Sequence, residues 1–76
     1  NVVVLDPPRS GAGAKVLDAV IELQPRVIIY VACDPASLAR DSRHLLYKGF
    51  QISLRAFDLF PMTHHIECVA RFIRQN

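Results

Sequence analysis

The stretch Val27-Ile28-Ile29-Tyr30-Val31-Ala32-Cys33-Asp34-Pro35 decides the fold. Its unbroken run of β-branched and aromatic residues predicts a strand buried on both faces, since a half-solvated strand would alternate apolar with polar. Asp34-Pro35 reads as a helix N-cap with proline at the first helical position. The helix behind it carries Leu38, Ser42, Leu45 and Leu46 and stops at Gly49. Toward the N-terminus, Val2-Val3-Val4-Leu5 is a second run of the same kind, ended by Asp6-Pro7-Pro8. Gly11, Ala12 and Gly13 then open a helix with Val16, Leu17, Val20, Ile21 and Leu23 at near-helical spacing, and Pro25 closes it. Toward the C-terminus, Ile52 to Phe57 and Cys68 to Ile73 read as two further strands joined by the loop Asp58 to Glu67.

Strand, helix, strand, helix, strand predicts right-handed crossovers and a parallel sheet covered by helices on both faces. The last connection shows no helical pattern and is too short for a parallel crossover, so the final strand is expected to run antiparallel. The expected fold class is therefore α/β, the C-terminal half of a Rossmann-like sheet with parallel strands and one final antiparallel strand. In such sheets ligands bind beyond the carboxyl ends of the strands. That rule brings three polar clusters to one rim: Asp6-Pro7-Pro8-Arg9, Cys33-Asp34-Pro35 and the Asp58 to Glu67 loop.

Composition bounds the rest. A hydrophobic content of 51% with 21% charged residues excludes a disordered tail. Charged residues interrupt every apolar stretch, so no membrane span is expected. A net charge of +2 is too small to argue for nucleic-acid binding by itself. Two cysteines, Cys33 and Cys68, and no signal-peptide pattern point to a reducing compartment, the cytoplasm. The chain opens on Asn1 in mid-strand, so its 76 residues are expected to be one segment of a larger protein whose earlier part is missing.

Each cluster admits a functional and a plain reading. Cys33, at the junction of a buried strand and a helix N-terminus, is placed where the helix dipole favours thiolate; by position alone the plainer reading, a small buried hydrophobe as most free cysteines are, is the commoner one. Glu67, beside Phe60, Pro61, Met62 and Ile66, could be a general base with a raised pKa, or a solvated strand-end carboxylate. Asp6-Pro7-Pro8-Arg9 could present carbonyls and side chains to a planar ligand, or simply turn the chain. His64 and His65 with the two cysteines do not have the spacing of a metal site, and none is expected. Arg40, Arg43, Lys48 and Arg55 read most simply as solvated.

Asp6-Pro7-Pro8-Arg9-Ser10-Gly11, then Ile28 to Pro35 with Ser37-Leu38-Ala39-Arg40-Asp41, then Phe57-Asp58-Leu59-Phe60-Pro61-Met62-Thr63-His64-His65-Ile66-Glu67 occur in that order. Together they closely resemble the C-terminal catalytic region of the S-adenosylmethionine-dependent RNA uracil-C5 methyltransferases, which act on tRNA or 23S ribosomal RNA. The resemblance implies that residues 1–76 are the C-terminal part of a catalytic domain. It also implies S-adenosylmethionine as methyl donor and an RNA uridine as acceptor. By the same resemblance Cys33 is the nucleophile, Glu67 the general base and Asp6 a contact to the donor, with Pro7, Arg9, Asp34 and His65 as substrate contacts. An iron–sulfur cluster belongs only to the missing N-terminal part of some members. The family's usual serine before and asparagine after the cysteine are here Ala32 and Asp34. The rivals are an impaired relative that binds RNA, a methyltransferase with another acceptor, and a structural α/β module.

Overall fold

The computed structural model describes the backbone of residues 1–60 and 65–75 and the side chains of residues 1–56 and 67–75. The elements are β1 (Val2–Leu5), α1 (Gly13–Glu22), β2 (Val27–Ala32), α2 (Pro35–Tyr47), β3 (Phe50–Phe60) and β4 (His65–Arg74). They form a four-stranded sheet in the order β1-β2-β4-β3, with β1 and β2 parallel and β4 antiparallel to both its neighbours. The parallel strands with one final antiparallel strand are as expected. β4 inserts between β2 and β3, which leaves β1, β2 and β3 pointing the same way. Among the described residues no helix is long and apolar enough to cross a membrane.

Both helices lie on one face of the sheet. Leu17 and Val20 from α1 and Leu38 and Leu45 from α2 pack into one core with Ile28, Tyr30, Ala32, Cys68, Ala70 and Phe72. The other face holds Val2 and Val4, which remain 60% and 66% exposed, with Leu54 and Ile73 also open. The expectation of helices on both faces is corrected here: two crossovers of the same hand, taken in the same direction along the sheet, deliver both helices to one side. Within α1 the true stripe is Leu17, Val20 and Ile21; Val16 and Leu23 face outward. The helix ends before Pro25, as Gln24 turns left-handed at φ 55°.

Asp34 caps α2 as its sequence predicts, accepting the Ala36 N–H at 3.1 Å, with Pro35 opening the helix. Gly49 lets the chain leave the helix at φ 100°. The last two strands are longer than expected. Asp58 to Phe60 and His65 to Glu67 continue the ladder, with Asp58 opposite Glu67 and Phe60 opposite His65. The presumed ten-residue loop is thus mostly hairpin, because backbone pairing continues through Asp58 despite its turn propensity. Residues 61–64 lie outside the described residues, and so does the surmised enclosure of Glu67 by Phe60, Pro61, Met62 and Ile66. The register slips at Ser53, a bulge between Ile52 and Leu54. Arg71 Nε donates to the Ser53 hydroxyl at 2.8 Å and fills the irregularity.

Candidate active site

The carboxyl ends of β1 and β2 and the amino end of β4 share one rim, because β4 runs against the other two. Asp6 follows β1 directly, Cys33 follows β2, and Glu67 is near the start of β4. Ala32 pairs with Cys68, the last pair of the β2–β4 ladder; Cys33 follows Ala32 just past β2, and Glu67 precedes Cys68 within β4. Ala32 and Cys68 are buried under the helices, whereas Cys33 and Glu67, one position out of phase, are both exposed. Cys33 is therefore not the small buried hydrophobe of the plain reading. Cys68 fills that role, and burial first, then the Asp34 charge, pushes its thiol pKa upward. His65 is in β4 opposite Phe60, and its side chain lies outside the described residues.

Asp6 stands at a groove of about 310 Å³ lined by Val4, Leu5, Pro7, Pro8, Ala12 and Val16. The walls are apolar and Asp6 supplies the carboxylate. The fixed φ of the paired prolines holds the chain away from the sheet and opens this space. Arg9 is exposed at the far side of the loop.

The Asp34 carboxylate is occupied. One oxygen takes the Ala36 N–H, and the other lies 3.1 Å from the Ser37 hydroxyl. An acidic residue beside Cys33 is thus held toward its own helix by the Ala36 N–H, while the one Ser37 hydroxyl hydrogen is shared between Asp34 and the closer Arg9 carbonyl. As a substrate contact it has only the capacity those bonds leave.

A second set of residues on α2 was not singled out by sequence reasoning. Asp41 is buried to 2% exposure and accepts the Ala12 N–H at 2.7 Å, the Gly13 N–H at 3.3 Å and the Tyr30 hydroxyl at 2.5 Å. The Ser37 hydroxyl lies 2.6 Å from the Arg9 carbonyl, and Arg40 Nη2 donates to the Ser10 carbonyl. Arg40, read as a solvated side chain, in fact grips the loop before α1. Burial, then the bond to Asp41, raises the Tyr30 phenol pKa well above its ordinary value. The signal was present in the sequence: Leu38, Asp41, Ser42 and Leu45 follow one helical stripe, and a carboxylate on such a stripe requires buried donors.

The sheet and its helices superpose on the Pyrococcus abyssi tRNA (uracil-54, C5)-methyltransferase crystallised with S-adenosyl-L-homocysteine. The TM-score is 0.79 at 36% identity, over 95% of this chain and 18% of that one. A model of the tRNA (uracil-5-)-methyltransferase family matches residues 1–75, and the chain belongs to that family. Among curated relatives, a Streptomyces avermitilis protein described as an uncharacterized RNA methyltransferase is 58% identical over 92% of this chain. The 23S rRNA (uracil(1939)-C(5))-methyltransferase RlmD of Photobacterium profundum is 48% identical over 97% of it. In both cases the chain spans 16% of the relative's length.

Proposed function

We propose that this chain is the nucleophile-bearing segment of an enzyme that methylates carbon 5 of a uridine in RNA, with S-adenosylmethionine as donor. The observation that supports the reading is that Cys33 and Glu67 flank the last β2–β4 pair, Ala32 with Cys68, and are both exposed on the rim that also holds Asp6.

Carbon 5 of uracil is a weak nucleophile. The Cys33 thiolate adds to carbon 6, forming an S–C bond, and the electron pair of the ring double bond moves onto the carbonyl at carbon 4 as an enolate. Carbon 5 is then nucleophilic. Asp6, with the apolar walls of Leu5, Pro7 and Pro8, suits a ligand that joins a flat ring to a cationic centre. The bound donor supplies an electrophilic methyl group there. Glu67 next takes the proton from the methylated carbon 5, the double bond re-forms, and the S–C bond breaks to return the thiolate. Donors around Arg9 and beside Cys33 steady the enolate oxygen. A uridine stacked in a stem cannot reach an exposed thiol on a sheet rim, so the target is extruded or lies in a loop. The rest of the donor site falls to other parts of the parent protein, and the 76 residues alone are expected not to turn over.

The test is covalent trapping. The full-length protein is incubated with RNA containing 5-fluorouridine and the donor, and the product is run on a denaturing gel. Wild type gives a protein–RNA adduct that Cys33→Ala abolishes. Glu67→Gln accumulates adduct even on ordinary uridine RNA, because the proton that permits release stays in place. No adduct from wild type, or an adduct that survives Cys33→Ala, overturns the reading.

A further inference from the structure

We propose that Asp41 and Arg40 are positioning residues that set the donor-side loop against the nucleophile loop. The inference rests on the functional reading above and adds two residues to its machinery.

The loop that leaves β1 must place Asp6 and the two prolines, yet it has little to hold it from within. Its one backbone turn bond runs from the Gly11 N–H to the Pro8 carbonyl. Ala12 is the N-cap of α1 and has no side chain able to cap it, and no acidic residue lies in the first turn. The loop's polar groups are taken up instead by α2. Asp41 accepts the N–H groups of Ala12 and Gly13, which is helix capping from another helix. Ser37 reaches the Arg9 carbonyl and Arg40 the Ser10 carbonyl. Ser37, Arg40 and Asp41 are spaced at i, i+3 and i+4, so one ridge of α2 makes the whole grip. Tyr30, rooted in β2 and fully buried, fixes Asp41 from below.

α2 is also the helix that begins directly after Cys33-Asp34. The position of the Asp6–Arg9 loop is therefore referenced to the same helix that positions the thiol. The dependence is one-sided. The nucleophile side keeps the Asp34 cap on Ala36 N–H and the Leu38 N–H bond to the Asp34 carbonyl whether or not Arg40 and Asp41 are present, whereas Ser37, 3.1 Å from Asp34 Oδ2, touches both sides. Removing the Arg40 and Asp41 bonds frees the donor loop and leaves the thiol where it was. Since Asp41 already fills the N-terminus of α1, that helix end is closed to a ligand anion.

Two readouts on the full-length enzyme separate these sides. Exchange of the uridine carbon-5 hydrogen with solvent, without donor, reports thiolate addition and proton transfer at carbon 5, with no contribution from donor alignment. Methyl transfer reports addition together with donor alignment. Asp41→Ala lowers methyl transfer on the order of 100-fold and leaves exchange close to wild type; Arg40→Met, which removes the bond to the Ser10 carbonyl, does the same to a smaller degree. Asp18→Asn, which breaks an exposed contact between the same two helices, is the control and changes neither rate. The inference is overturned if methyl transfer is unaffected, or if both rates fall together as a general loosening would make them. Should Asp41→Ala fail to fold, Arg40→Met decides alone. A wild type that neither exchanges nor methylates sinks the functional reading itself, and this inference with it.

Discussion

The two faces of the sheet are made of similar residues and meet different surroundings. On the helix side Ile28, Tyr30, Cys68 and Phe72 are wholly buried, while across the strands Val2, Val4 and Ile73 stand open. Apolar composition does not distinguish them; phase along the strand does. Residues in step with Ala32 and Cys68 build the core, and residues one position out of step along the strands, Val2, Val4 and Ile73 among them, stand on the open side. A strand is a two-sided object, and one register assigns the core to one side and open surface to the other.

The contrast is broken or sharpened most forcefully at neighbouring positions of β4. Phe72→Ala empties the core and is expected to cost about 3–5 kcal/mol, read from urea denaturation of the full-length protein. Ile73→Ala, on the open side, costs below about 1 kcal/mol if that side stays open in the whole protein. A cost for Ile73→Ala near that of Phe72→Ala breaks the contrast, and marks the open face as packed against another part of the protein.

The continuous runs Val2 to Leu5 and Val27 to Val31 made the strands legible, and Asp34-Pro35 fixed the start of α2 to the residue. The antiparallel course of β4 followed from the length of its connection. The faces did not follow, because a strand that is apolar on both sides reads the same whether one side or two are covered. The site divided along the same line. Cys33, Glu67 and Asp6 could be named because strand ends are punctuated by polar residues and prolines. That Asp41 needs buried donors was legible in the stripe of α2, but which groups supply them was not, because the grip joins side chains to backbone groups 28–30 positions away, and backbone atoms leave no mark in a sequence. The hairpin was under-read for a related reason: Asp58 looks like punctuation, yet its backbone pairs with Glu67.

Gly11 gives the next largest effect and tests how tightly the helix side is packed outside the apolar core. It has φ 90°, and a Cβ there would come within 2.9 Å of Asp41 Oδ2 and 3.2 Å of the Ser37 Cβ, and would also strike the Arg40 guanidinium. Gly11→Ala is expected to cost roughly 1–3 kcal/mol from the left-handed backbone alone, with methyl transfer reduced as the loop is pushed off α2. A Gly11→Ala protein as stable and active as wild type would show that the loop tolerates displacement, and that the helix-side packing ends at the core.

The smallest effect lies at the outer edge of the helix layer, where α1 meets α2 in solvent. His44 Nε2 is 2.7 Å from Asp18 Oδ1, and Lys48 Nζ is 3.9 Å away. The His44 hydrogen bond, partly opposed by desolvation and aided by Lys48, holds the Asp18 carboxyl below its ordinary 3.8. A carboxyl whose pKa is depressed in the folded state stabilises it at pH above the unfolded value, and that contribution is lost as pH falls through the folded value. Thermal unfolding should therefore separate wild type from Asp18→Asn slightly at pH 6. The two should converge below about pH 3, and the gap at pH 6 should shrink in high salt, because an exposed pair is screened. A gap that persists at pH 2 would mean that Asp18 acts through packing rather than charge. The helix pair would then be continuous with the buried face instead of forming its solvated border.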